Sequence, residues 1–220
     1  MRYSIVLLSI LLLFTGCFSN KTPPKQEQTT EEIPKKNLPE PTTTTEDTEK
    51  STELYKAFEL YLNQLESLNA DNIISMTYPK FFTLFSKNVY KNQILTMTNS
   101  SNIDIVHFTT KITKVDKVNT FSEGKFAKVG YTSTIKLYLK NNRLYDTELS
   151  LNTLYSILAR KYGRKNIHVD IQTRVVTIIK NEKLLAIKEN SNGWKFVGDN
   201  PTYRELYYPR FLPYDILNKI

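Results

Sequence analysis

"IDIVHFTTKITKVDKVNTFSEGKFAKVGYTSTIKLYLK", residues 103–140, is the stretch on which the fold turns. Its apolar side chains recur at a period of two, the spacing that sends successive residues to opposite faces of a strand. Two long strands are expected, 103–118 and 125–140, joined around Phe121-Ser122-Glu123-Gly124-Lys125 with Gly124 supplying the turn. The second is the cleaner: Val129, Tyr131, Ile135, Leu137 and Leu139 share one face.

Upstream the period changes to that of a helix. From Ser51, Leu54, Phe58, Tyr61, Leu62, Leu65 and Leu68 form one apolar stripe. Asn69-Ala70-Asp71 reads as a break and a new cap before a short helix through Ile73, Ile74 and Met76. Pro79 suits the first turn of a helix, where its missing N–H costs little, and Ser86 caps a further helix carrying Val89, Tyr90, Ile94 and Met97. Downstream, Leu151, Leu154, Tyr155, Leu158 and Tyr162 mark the buried side of a helix ended by Gly163. Residues 167–199 then read as three strands. Val169, Ile171, Val175 and Ile179 line one face, and tight hairpins are expected at Asn181-Glu182-Lys183 and Asn192-Gly193. Helices followed by antiparallel strands give an α+β domain: N-terminal helices packed on a curved antiparallel sheet of about five strands.

The N-terminus sets location rather than chemistry. An apolar block from Ile5 to Phe14 follows a short segment whose basic residue is Arg2, and Ser19, Asn20 and Lys21 arrive too soon for a membrane span of roughly 20 residues. A secretory signal peptide over 1–16 fits. Phe14-Thr15-Gly16-Cys17 resembles a bacterial lipobox, with Phe14 where an aliphatic residue is usual; the resemblance implies cleavage before Cys17 and acylation of that cysteine with chains such as palmitate. One acyl chain binds a bilayer only marginally, so the two or three chains that such a cysteine carries are what make a lasting anchor. Cys17 is the only cysteine in the chain, so no intramolecular disulfide is available. Phe18 offers no acidic retention signal, which favours the outer membrane over the inner where a cell envelope has both. Residues 17–50 hold five of the nine prolines, with almost no large apolar side chains, and are expected to form a disordered linker of Thr, Pro, Glu and Lys. Residues 51–220 form the folded domain.

That domain carries 24 Lys plus Arg against 15 Asp plus Glu, a net of about +9. Export removes nucleic acid as a partner, and anionic head groups or acidic envelope polymers are the better use of the charge. The opening "ELYKAFELYLNQLESLNADNIISMTYPKFF", the long strand pair and the closing "NGWKFVGD" resemble the NTF2-like (cystatin-like cone) superfamily across residues 51–199. The resemblance implies a pocket between sheet and helices, in which enzymes of that superfamily place an Asp or His base opposite Tyr donors. The candidates for such a role are Asp104, His107 and Tyr131, with His168 and Asp170 as a second pair expected to meet solvent. Two histidines and one cysteine lack metal-ligand spacing, and six glycines include no phosphate-cradling loop or dinucleotide fingerprint, so neither metal nor cofactor is expected.

"YPKFF" at 78–82 and "YPRFL" at 208–212 share one order of residue types, and Pro213 starts a last short helix through Ile216 and Leu217. Tyr78, Phe81, Trp194, Tyr208 and Phe211 are therefore candidate ligand-binding residues, or else aromatic anchors of the core. The sequence supports two functions. The first is a non-catalytic envelope lipoprotein, anchored in the membrane, whose cone binds an apolar small molecule, a peptide or another envelope protein. The second is a small isomerase, dehydratase or hydrolase, which requires a buried carboxylate facing a Tyr or His. Oligomeric state is not encoded in any of these features.

Overall fold

The computed structural model describes residues 45–140, 143–190 and 192–220. The expected signal peptide, Cys17 and the expected linker up to residue 44 lie outside the described residues. The first helix, α1 (Thr45–Glu66), opens six residues before the expected boundary at 51. No proline follows Pro41 in that segment, so nothing in the backbone bars the helix from starting there. Next come α2 (Ala70–Met76), a 3-10 turn (Pro79–Thr83) and α3 (Lys87–Thr98). Asn69 caps α2 as expected, its side-chain oxygen accepting the N–H of Asn72 at 3.0 Å. Ser86 occupies the cap position of α3 without a side-chain bond, and Val89 faces solvent.

Six strands follow, one more than expected: β1 (Ile103–Val115), β2 (Asn119–Phe121), β3 (Gly124–Leu139), β4 (Ile167–Asp170), β5 (Val175–Glu189) and β6 (Lys195–Gly198). Between β3 and β4 lies α4 (Glu148–Tyr162), capped by the Thr147 hydroxyl at one end and by Gly163, at φ 87°, at the other. The sheet order is β1-β3-β5-β4, all antiparallel. The extra strand arises because β1 stops at Val115, and β2 then takes over the same edge of β3, pairing Phe121 with Gly124. In the same way β4 and β6 divide one edge of β5. Register shifts after Ile105 and Ile112 mark bulges that bend β1.

The expected hairpin at Asn181-Glu182-Lys183 is absent. β5 runs unbroken through it, pairing Asn181 with Thr132, whose hydroxyl meets the Asn181 side-chain oxygen at 2.7 Å. The reversal comes earlier, at Ile171–Arg174, where Arg174 takes φ 58° and Asp170 accepts the N–H groups of Gln172 and Thr173. That moves the buried face: Val176 and Ile178 are buried, whereas Ile171 and Ile179 are exposed. The β5–β6 hairpin forms where expected, but its left-handed residue is Asn190, at φ 47°, rather than Gly193.

One sheet face is covered by helices along its whole length. Leu54, Phe58, Tyr61, Leu62 and Leu65 of α1 pack on Ala127, Val129, Tyr131, Leu184 and Ala186. Further along the same face, Leu151, Leu154 and Leu158 of α4 pack on Ile135, Leu137, Val176 and Ile178. The stripe read on β3 is thus buried throughout. The other face is covered only at one end, where Phe126, Leu185, Ile187 and Val197 meet the C-terminal segment. That segment comprises a π turn (Tyr203–Tyr207), α5 (Tyr208–Phe211) and α6 (Tyr214–Leu217), the last preceded by Pro213 as expected. No helix among the described residues is long and apolar enough to cross a membrane.

Gly124 serves close approach rather than a turn. A Cβ there would lie 2.0 Å from the Lys188 carbonyl oxygen, a backbone atom that cannot swing away. Gly124→Ala is expected to cost about 1–3 kcal/mol in urea unfolding, the range for overpacking. Gly193→Ala, with nothing within 4 Å of the added carbon, should stay within about 0.5 kcal/mol of the parent.

Candidate functional site

The residues singled out as possible acid–base partners do not converge. Asp104 pairs across strands with Tyr138, and His107 with Lys136, which sets both on the less covered face. Asp104 makes an ion pair with Lys140 at 2.8 Å, and His107 is exposed. Tyr131 lies on the opposite, helix-covered face, edge-to-face with Phe58. The sheet itself stands between the three. His168 is exposed, and the Asp170 carboxyl is held below its ordinary range chiefly by the Thr173 backbone N–H, a turn-forming role.

The five aromatic candidates are all buried. The two similar motifs meet each other: the Tyr78 and Phe211 rings lie 6.0 Å apart, and Phe81 and Phe211 6.2 Å apart. They anchor one aromatic cluster, and Phe81 also lines the recess between helices and sheet. The Tyr208 hydroxyl donates to the Gly198 carbonyl at 2.6 Å, and the Tyr78 hydroxyl to Glu189 at 2.6 Å. Glu189 also receives Lys80 at 2.8 Å. Burial alone would raise the Glu189 pKa, but the hydrogen bonds from Lys80 and Tyr78 outweigh it and hold the carboxyl below its ordinary 4.5.

The recess between helices and sheet is small, about 30 Å³, room for one or two waters. Tyr61, Tyr90 and Tyr131 from α1, α3 and β3 line it, with Thr77, Asn200 and Tyr203. Burial pushes the Tyr90 phenol up to about 12, and raises Tyr61 and Tyr131 well above their ordinary value. At neutral pH these hydroxyls stay protonated and can only give or accept hydrogen bonds.

Beside the recess the inner face turns polar. Glu182 lies across from Tyr131, and Lys180 across from Ser133. The two side chains are 3% (Lys180) and 10% (Glu182) exposed, with Nζ 3.0 Å from Oε1. This is a buried ion pair. Lys180 and Lys161 both approach the Tyr162 ring, at 5.6 and 5.1 Å. Burial raises the Glu182 carboxyl against the opposing pull of Lys180. Reading Asn181-Glu182-Lys183 as a turn hid this pair. The signal was the strict alternation Val176, Ile178, Lys180, Glu182, Leu184, Ala186, which sets two charges in apolar register. Among the described residues no group of His, Cys, Asp and Glu could hold a metal ion.

Helices over an open, curved antiparallel sheet of six strands, closing on a tyrosine-walled recess, define an α+β domain. No family model matches the chain, and no curated protein matches it. A similar solved structure is a nuclear transport factor 2 (NTF2-like) superfamily protein from Salmonella enterica subsp. enterica serovar Typhimurium str. LT2, at 11% identity and a TM-score of 0.37. The match covers 70% of this chain and 94% of that one. At that score the likeness carries no weight of its own, and the α+β class rests on the strand pairing.

Two outcomes test the site. Lys180→Met and Glu182→Leu should each cost about 3–5 kcal/mol in urea unfolding, because each removes one partner of a buried ion pair, and the double variant should recover most of that loss. Glu189 stabilises the fold above its ordinary 4.5, and the contribution fades as pH falls through its lower folded value. Glu189→Gln should therefore flatten the acid limb of a stability–pH curve while leaving the slope near neutrality unchanged.

Proposed function

We propose that the chain is an envelope lipoprotein, acylated at Cys17, whose NTF2-like cone binds a partner rather than converting a substrate. The observation that carries the binding half is the separation of Asp104 and His107 from Tyr131 by the thickness of the sheet. The small size of the recess, about 30 Å³, supports a partner met on the surface, a peptide or another envelope protein, over an apolar molecule taken inside it. The lipobox-like Phe14-Thr15-Gly16-Cys17 supports the anchor.

A second reading draws on Glu182, a buried carboxylate beside the Tyr131 phenol. In a cone enzyme of the isomerase, dehydratase or hydrolase type, that carboxylate would take a proton while the phenol donates to the developing oxyanion. The Lys180 ammonium, 3.0 Å from Glu182, disfavours it by holding the carboxylate in an ion pair that taking up a proton would break.

Mass spectrometry of the mature product tests the anchor. The reading expects a leaderless protein with acyl chains on Cys17 and an uncleaved leader in Cys17→Ser; an unmodified sulfur contradicts it. If the intact lipoprotein retains its co-purifying partner in Glu182→Gln, binding stands; a turnover lost in that variant favours the enzyme.

A further inference from the structure

The less covered face of the sheet is basic in a way the ion-pair pattern brings out. Lys111 of β1, Lys128 and Lys136 of β3 and Lys183 of β5 all fall on it. Lys111 pairs with Thr132, Lys136 with His107, Lys183 with Gly130, and Lys128 with Leu185. Three of the four are exposed, and Lys128 is half-buried at the margin of the C-terminal segment. The carboxylates on the same face are committed elsewhere. Asp104 holds Lys140, and Glu189 holds Lys80. Asp170 accepts the N–H groups of its own turn, and at the end of β1 Asp116 holds Lys114. Among the described residues the four lysines have no ion-pair partner, so their field adds over a patch about 25 Å long on β3.

Two apolar side chains stand among these charges, Tyr138 at 37% and Ile179 at 38% exposed. We propose that this open sheet face is a docking surface for a bilayer of anionic phospholipids. A second copy of the chain is a poor occupant, because a two-fold contact would set lysines against lysines. A flexible acidic polymer would be gripped best in a groove, whereas this face is open and bent only by the bulges of β1. A bilayer supplies both things the face asks for: negative head groups for the lysines, and an interfacial zone where tyrosine rings settle. The inference does not depend on acylation of Cys17, since the charges and exposed side chains belong to the folded domain.

The test is sedimentation of the full chain carrying Cys17→Ser with phosphatidylcholine vesicles, with and without phosphatidylglycerol. The phosphatidylcholine arm accounts for insertion of the apolar N-terminus. The proposal expects a phosphatidylglycerol-dependent increment that falls with added salt, and that drops by about 100-fold or more in Lys111→Glu/Lys128→Glu/Lys136→Glu/Lys183→Glu. A variant of the same net charge, Lys56→Glu/Lys87→Glu/Arg160→Glu/Lys165→Glu on the exposed sides of helices and the turn after α4, should keep most of it. If the first variant fails a melting check, the four Lys→Gln changes replace it, with a smaller loss in the same direction. No increment in the parent, or equal losses in the two variants, overturns the proposal. So does loss of binding to soluble poly(glycerol phosphate) in the first variant while vesicle binding stays unchanged.

Discussion

The antiparallel pairing of β3 with β5 is the constraint from which the rest of the structure follows. It runs from Gly124 opposite Glu189 to Tyr138 opposite Val175 without a register shift. Every other strand attaches to one of these two, β1 and β2 to β3, β4 and β6 to β5. Because side chains alternate, that register decides which residues meet the helices and which are left outside. A slip of β5 by one residue would turn Lys180 and Glu182 outward and bring Lys183 in. Gly124 lets the two backbones meet closely at one end, and the C-terminal aromatics clamp the same end from the outer side.

Local signals were legible where local chemistry decides structure. The stripe on β3, the Asn69 cap, the Gly163 stop of α4 and the start at Pro213 all follow from residues a few positions apart. What could not be read depended on distant partners. Asn181-Glu182-Lys183 has turn composition, yet β3 lies alongside and supplies Thr132 opposite Asn181, and tertiary pairing overrides the local preference. The same error inverted the faces of β5 and hid the buried ion pair. The likeness of "YPKFF" to "YPRFL" was visible, but only the fold shows that the two segments pack against each other.

The inner face joins two apolar clusters through a polar waist. Thr110 and Ser133 line it, and Glu66 reaches from the end of α1 to accept both the N–H and the hydroxyl of Thr110, the latter at 2.7 Å. Lys180 and Glu182 complete the waist on β5. Buried ion pairs of this kind add little net stability over apolar replacements. The β3–β5 alignment that turns this pair inward also arrays the unpaired lysines on the outer face. One register thus couples the interior of the domain to its charged surface.

A cross-strand disulfide measures that alignment most directly. With Cys17→Ser removing the one native thiol, Thr132→Cys/Asn181→Cys places two cysteines at positions whose side chains already touch at 2.7 Å. The account predicts rapid, near-complete closure under mild oxidation, with the melting temperature kept or raised. Thiols that stay reduced in a folded protein would mean that β5 breaks at Asn181, and that the register on which both faces depend is wrong.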